Sequence, residues 1–305
     1  MWKVNILLST YNGEKYLEEQ LDSLLNQTYQ NIDIYIRDDG SHDGTWDIIK
    51  KYKEEHARKI FLIESTGNLG YPDCFWHMLQ ECKKADAYAF CDQDDIWELQ
   101  KIEYAVAQMQ KRNTKSPLLY IHEYDNCDKH MRLLSHHSIG DISSYQGYQL
   151  IFYTIAQGFS MVINNEMRYL ILNQKPLGKD LPHDGWLIWN AFYGGDILYD
   201  SRILAKYRRH DNTETSSGSH YVQMLKSWWK KEVLGDEMTK QAKRIDYFLR
   251  VCSCCMDGRE LAIWKTFGNQ SRSLVSYFQK LFFPKRLRKF CAGEAALRFL
   301  FLIGK

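Results

Sequence analysis

Between residues 3 and 91, short apolar runs alternate with longer stretches of helical periodicity. Lys3 to Ser9, Ile32 to Arg37, Ile60 to Glu64 and the run ending at Cys91 read as strands. Glu14 to Gln27 reads as a helix, with Tyr16, Leu17, Leu21, Leu24 and Leu25 at helical spacing, and Asp43 to Glu55 and Asp73 to Lys83 read as two more. A βαβαβαβ run with short connections folds as a doubly wound, mostly parallel α/β sheet with right-handed crossovers. The residues that follow its strands then share one rim, where ligands of open sheets bind. Here those residues are polar: Ser9-Thr10-Tyr11-Asn12, Asp38-Asp39-Gly40-Ser41, Thr66-Gly67-Asn68-Leu69-Gly70 and the acidic run Asp92-Gln93-Asp94-Asp95. Hydroxyls, amides and carboxylates at four successive strand ends predict a crevice for a nucleotide-like ligand. The chain has neither GxGxxG nor GxxxxGK, so the dinucleotide fingerprint and the P-loop do not account for this rim.

The fourth strand end, CDQDDIW, puts three carboxylates (Asp92, Asp94, Asp95) within four positions. Like charges that close repel unless a cation sits among them, and carboxylate oxygens suit a hard divalent ion carrying phosphate. The same residues could instead cap a helix starting near Trp97 to Gln100.

The later sequence is less regular. Pro117 to Glu123 and Gly158 to Asn164 read as strands, His183 to Tyr193 as an amphipathic helix, and Ile197 to Arg209 as strand-like with a turn at Asp200-Ser201. Thr213 to Ser219 reads as a flexible loop, and from Tyr221 onward the pattern is helical. No internal repeat is present. The net charge of +2 hides an asymmetry: from Gln270 to the end, eight bases face one acid, Glu294. A basic tail on a neutral-to-acidic body points to an anionic surface as partner, a membrane rather than a nucleic acid. Its aromatics, with Trp228-Trp229 and Leu274, Tyr277, Phe278, Leu281, Phe282 and Phe283 beside Lys285 to Lys289, suit a helix lying in a membrane interface. A helix packed on the body with a solvated basic face is the alternative.

No run approaches the roughly 20 apolar residues of a spanning helix. The first apolar stretch is also too short for a secretory signal, so a cytoplasmic protein on the inner face of the membrane is expected. The eight cysteines have no framework spacing and read as thiols. Cys252 and Cys255 form a lone CxxC without a second pair, which reads as small buried side chains on a helix.

The segments STYNGEKYLEEQLDSLLNQTYQNIDIYIRDDGSHDGT, GNLGYPDCF, DQDDIW, HDGW and YRRHDN occur in that order. Together they resemble the family 2 inverting glycosyltransferases of the GT-A fold, within the bacterial rhamnosyltransferase-like group, from about Val4 to Asn212. The resemblance implies a GT-A domain over residues 1–215, with a nucleotide-sugar half at 1–112 and an acceptor half at 113–215. Residues 216–305 would be a helical, basic, amphipathic extension.

Carried onto this sequence, the family pattern makes Asp38 the partner of the nucleotide base, with Asp39, Asn68 and the loop Thr10, Tyr11 and Asn12 shaping the nucleotide-sugar pocket. Chemistry agrees for Asp38, because a carboxylate accepts the imide N–H of uracil or thymine; Asp39 and Asp43 also suit a turn and a helix cap. Asp94 becomes the direct ligand of Mg²⁺ or Mn²⁺, Asp92 faces the ribose or the metal's waters, and Asp95 caps the next helix. Asp184 is the implied catalytic base, which equally suits a helix N-terminus, and Trp186 an implied stacking wall for the acceptor. Gly185 stands where the group often has an aromatic. His210 is an implied metal or diphosphate contact, Arg208 or Arg209 an implied phosphate partner, and Gly158 and Ser160 part of the loop under the acceptor.

The expected activity is transfer of a sugar from a nucleoside-diphosphate donor, dTDP-rhamnose or a UDP-hexose, to a lipid-linked or growing surface polysaccharide. A non-catalytic nucleotide-sugar-binding or scaffolding subunit is the alternative. A sugar nucleotidyltransferase ranks below both, because its glycine-rich basic N-terminal loop is missing.

Overall fold

The four apolar runs become β1 (Val4–Thr10), β2 (Ile32–Asp38), β3 (Ile60–Leu62) and β4 (Ala87–Cys91), which pair in parallel in the order β3-β2-β1-β4. The computed structural model describes residues 1–65, 67–140, 142–174, 180–210, 229–268, 273–288 and 291–304. Val4 pairs with Ile32 on one side and Ala87 on the other, so Val4, Ile6 and Leu8 share a face with Ile32, Ile34, Ile36, Ala87 and Ala89 and form one core cluster with them. Strands covered on both faces need apolar residues at nearly every position, which is why these runs do not alternate. Helix α1 (Leu17–Leu25) adds Leu17, Leu21 and Leu24 to that cluster, and α2 (Thr45–Glu55) adds Ile49 and Tyr52. The third helix, α3 (Asp73–Glu81), buries Phe75, Trp76, Met78 and Leu79.

Beyond β4 a short strand that the sequence did not show precedes the helix expected near Trp97 to Gln100. Ile96–Trp97 does not open a helix: it forms a short strand, β5, and α4 (Lys101–Met109) begins four residues later behind Gln100. Then come β6 (Leu118–Cys127), β7 (Leu133–His136), β8 (Met161–Asn164), α5 (Asn165–Asn173), α6 (His183–Gly194) and β9 (Asp196–Arg208). The sheet continues past β4 as β8-β6-β9-β5, with β8 antiparallel to both its neighbours, β9 parallel to β6, and β7 pairing off the edge of β6. The turn expected at Asp200-Ser201 is an irregularity inside one strand. Register runs from His122 opposite Asp200 to Glu123 opposite Ile203, and the Asp200 carboxylate stabilises the step by accepting from Tyr120 Oη at 2.7 Å and Arg202 Nε at 2.8 Å. Between α6 and β9 only glycine fits at 195, since a Cβ there would lie 2.3 Å from the Pro117 carbonyl oxygen.

Residues 1–142 with 156–209 form one compact unit, and 143–155 with 210–305 a second. The second contains α7 (Glu237–Cys252), α8 (Gly258–Gly268), α9 (Leu274–Leu281) and α10 (Cys291–Leu302). Its core is aromatic: Phe248 packs on Trp264 at 5.1 Å, and Phe267 meets Phe152, Phe283 and Phe301 at 5.3, 5.2 and 5.9 Å. No helix among the described residues is long and apolar enough to cross a membrane. The expected loop at 213–219, the start of helix at Tyr221, Trp228 and Lys289 lie outside the described residues. Cys252 is buried at the end of α7 as expected, whereas Cys254 and Cys255 are exposed on the following turn.

Candidate active site

The loops after β1 and β2 are held by each other. Thr10 ends β1 directly opposite Asp38, and its hydroxyl donates to Asp38 Oδ1 at 3.0 Å. Ser41 bonds both carboxylate oxygens, its hydroxyl donating to Oδ1 at 2.5 Å and its N–H to Oδ2 at 3.0 Å. Asn12 takes a left-handed backbone (φ 50°), which asparagine tolerates, and its side chain accepts the His42 N–H while its own N–H donates to Ser41 Oγ. Gln93, from the acidic run, brackets Tyr11 by accepting its N–H at 2.8 Å and donating to its carbonyl at 3.0 Å. That bracket needs Gly13, where a Cβ would lie 2.2 Å from Gln93 Oε1. Tyr11 itself keeps its ring 46 % exposed above this frame, and Asn68 is exposed on the neighbouring loop.

Asp38 and Asp39, adjacent in sequence, do different work. Asp38 is half-buried, while Asp39 is 3 % exposed and points into the protein. Its carboxylate accepts the N–H groups of Leu69 and Gly70 at 2.9 and 2.6 Å and pairs with the buried Arg37, which also donates to the Gly67 carbonyl. Gly67 and Gly70 both have positive φ. The pair Arg37–Asp39 therefore shapes the Gly67–Gly70 loop from beneath.

In the acidic run Asp92 and Asp94 are partly exposed and Asp95 is fully buried. Burial, then the charges of Asp94 and Asp184, push the Asp92 carboxyl up to about 7, with Lys101 opposing. Burial followed by Asp94 and Asp92 raises Asp95 too, and Asp95 Oδ2 has no hydrogen-bond partner among the described residues. Asp95 does not cap a helix. Its Oδ1 accepts the Arg208 N–H at 3.1 Å, and Arg208, 2 % exposed, also donates to the Asp94 carbonyl and pairs with Glu19. Arg208 is thus a strut of the acidic loop and not a free phosphate partner. Carboxylates that raise one another and present only oxygen donors fit a hard divalent cation. Among the described residues no three His, Cys, Asp or Glu side chains form a ready-made cage, and Asp92 and Asp94 are the carboxylates that could hold such a cation.

Asp184 stands in the first turn of α6, with Pro182 at the cap position. Its Oδ1 accepts the Gly185 N–H at 2.7 Å and lies 3.5 Å from Tyr71 Oη. Burial and then the charges of Asp184 and Asp92 raise the Tyr71 phenol, just as Asp184 raises Asp92. Tyr71, Asp92 and Asp184 therefore converge on one space, although they come from three separate stretches of chain.

Three expected acceptor contacts do not face that space. Trp186 is 1 % exposed and donates Nε1 to Gln174 at 3.0 Å, so its ring is core and offers no wall to a sugar. Ser160 is fully buried, with its hydroxyl on the Gln157 carbonyl. Gly158 is buried beneath the His183 ring. His210 directly follows β9, is half-buried, and groups with the second compact unit; Asp211 and Asn212 lie outside the described residues. Sequence reasoning passed over Gln93, Arg37, Tyr71 and Lys101. Lys101 had a readable signal: with Ile102, Ala105, Val106 and Met109 it falls on the apolar face of α4, an unusual place for a lysine.

Residues 5–169 match the family described as glycosyl transferase family 2. The chain is 25% identical over 246 residues to the dTDP-rhamnosyl transferase RfbG of Shigella flexneri, covering 74% of this chain and 82% of that protein. Among solved structures, S. aureus TarS 1–349 in complex with UDP-GlcNAc superposes with a TM-score of 0.59 at 15% identity, covering 98% of this chain and 90% of that one. The mannosyltransferase PcManGT from Pyrobaculum calidifontis, in complex with GDP-Man and Mn²⁺, gives 0.56 at 14% identity over 99% and 86%. The family match spans more than half of the chain and falls on the strands and loops that build the rim. On that ground, and with the GT-A architecture it shares with these structures, the chain belongs to glycosyl transferase family 2.

Proposed function

We propose that this chain is an inverting, metal-assisted glycosyltransferase. It takes a sugar from dTDP-rhamnose, or secondarily from a UDP-hexose, and passes it to a lipid-linked or growing surface polysaccharide. The observation that carries the proposal is that Asp184 lies 3.5 Å from Tyr71 Oη and that its charge, after burial and Asp94, raises Asp92, which sets a candidate base near the carboxylates that suit a diphosphate-bound cation. The likeness to RfbG supports the choice of donor.

The steps follow from the side chains. Asp38 Oδ2 accepts the Ser41 N–H among the described residues and has a further lone pair to offer the imide N–H of thymine or uracil. Gln93 and Asn12 fix the loop on which Tyr11 can lie against the nucleotide. Asp92 and Asp94 would hold Mg²⁺ or Mn²⁺, which when bound offsets charge on the departing diphosphate. Asp184 takes the proton of the acceptor hydroxyl as that oxygen bonds to the anomeric carbon. The bond from that carbon to the diphosphate oxygen breaks with its electron pair leaving on the nucleotide, so the anomeric centre inverts. Residues 1–215 would carry this chemistry, divided near residue 112 into donor and acceptor halves.

The second unit suits an anionic membrane surface. Leu274, Val275, Phe278 and Phe282 follow helical spacing along and just past α9 and are 50 to 75 % exposed. No acid occurs from 273 to 288, where Lys285 and Arg286 adjoin the apolar face. Beside it, Val275, Phe278, Phe282, Phe283 and Pro284 line a groove of about 620 Å³. Apolar side chains flanked by bases match an anionic bilayer interface better than a protein partner.

The test is Asp184→Asn with anomeric analysis of the product. The variant should bind donor nucleotide as the parent does and lose transfer by at least about a thousandfold, and the parent's product should be inverted on NMR. A retained configuration, or an active Asp184→Asn, contradicts the reading.

A further inference from the structure

We infer that His183 is a positioning residue that aims the Asp184 carboxylate, and that Gly158 is the seat on which its ring rests. The inference depends on Asp184 being the base.

His183 precedes Asp184 at the start of α6 and is 3 % exposed. Neither ring nitrogen has a hydrogen-bond partner among the described residues. The ring is held by shape alone: Phe75 and Phe90 lie at 4.5 and 4.8 Å between centroids, Tyr71 at 5.6 Å and Trp76 at 6.2 Å. Its remaining side is closed by Gly158, where a Cβ would stand 2.1 Å from His183 Nε2. That approach is closer than any side chain permits, so the ring occupies the place a Cβ would take. Burial also keeps the imidazole neutral, with its pKa pushed down to about 3, so no charge of its own competes with Asp184.

The seat is braced in turn. Lys101, fully buried at the start of α4, donates Nζ to the Phe159 carbonyl at 2.6 Å and lies 3.2 Å from the centroid of the Trp97 ring. Trp97 and Lys101 belong to the elements that directly follow Asp92, Asp94 and Asp95. The contacts therefore run from the elements after the acidic loop through Lys101, Phe159 and Gly158 to His183 and the backbone of Asp184. Cage and seat together fix the His183 ring, and with it the backbone from which the Asp184 carboxylate projects. A reacting group displaced by an ångström forfeits much of its effect, so a residue with no contact to substrate can still set the rate.

The experiment uses the full chain with Gly158→Ala, His183→Ala and the double variant, each shown to be folded by its thermal melt. Gly158 does not have a left-handed φ, so alanine there adds a Cβ without backbone strain. Gly158→Ala should lower kcat by roughly a hundredfold while the affinity for donor nucleotide is unchanged. His183→Ala should do likewise, and the double variant should lose no more than the worse single one, because the new Cβ fills the room the ring has left. Wild-type kcat in either folded single variant overturns the inference, and so do losses that multiply in the double variant. Asp184→Asn separates the two claims. If it abolishes transfer while Gly158→Ala and His183→Ala retain it, only the positioning role falls; if it retains transfer, the assignment of the base falls with it.

Discussion

Asp38 and Asp39 read as a single motif in the sequence, yet their carboxylates face opposite ways. Side-chain direction along a strand alternates, so neighbours at a strand end can serve the ligand and the core respectively. Asp39 is committed to Arg37 and to the Leu69 and Gly70 N–H groups, and removing one partner of a buried pair leaves the other unpaired at a cost of roughly 3–5 kcal/mol. Asp39→Ala should therefore lower the melting temperature sharply. Asp38→Ala removes only part-buried bonds from Thr10 and Ser41, so it should lower the melt less than Asp39→Ala and weaken nucleotide binding by at least about tenfold, the worth of one charge-assisted hydrogen bond. Thermal denaturation beside nucleotide titration checks both, and equal effects of the two changes would contradict the division. The Asp pair itself was legible because chemistry-bearing residues cluster at strand ends. Which of the two turns inward depended on Arg37, whose side chain reads as exposed until the sheet covers it.

At the scale of elements, the parallel strands β1 to β4 were legible because continuous apolar runs leave little choice. The region after β4 was not. Ile96–Trp97 pairs with Lys206 and Ala205 from the far end of the unit, and no local propensity announces a two-residue strand. The helix that follows carries the clearest case of function set against stability. Lys101 is a fully buried lysine whose amino group makes one hydrogen bond among the described residues, to the Phe159 carbonyl, and burial drives its pKa well below the usual lysine value. Desolvating an ammonium costs several kcal/mol, whereas leaving that carbonyl unpartnered costs roughly 1–3 kcal/mol. Lys101→Met, which keeps the stem, should melt at the same temperature or higher and yet turn over more slowly. A melt and a kcat measured on one preparation decide it, and a variant that unfolds early would show that the ammonium is needed for folding.

For the whole molecule, the basic tail was legible from charge and aromatic content; of the apolar residues the sequence singled out, Leu274, Phe278 and Phe282 are exposed along and just past α9, whereas Phe283 packs on Phe267. How the unit closes was not legible: its core joins residues 143–155 to helices more than a hundred positions later, through contacts such as Phe152 on Phe267. Replacing Phe278 and Phe282 with aspartate should reduce co-sedimentation with anionic vesicles at least about tenfold and leave nucleotide binding intact, because both rings are exposed and their removal costs the core little. Unchanged sedimentation would give that face another partner.

In the proposed reaction the acidic rim of the first unit binds a nucleoside diphosphate through a divalent cation. Calorimetric titration with dTDP and UDP, once with Mn²⁺ and once with chelator, tests it most directly. Heat of binding should appear with dTDP or UDP in Mn²⁺, and be lost both in chelator and in Asp94→Ala. Binding that is equally tight without metal, or no binding to either nucleotide, would contradict it.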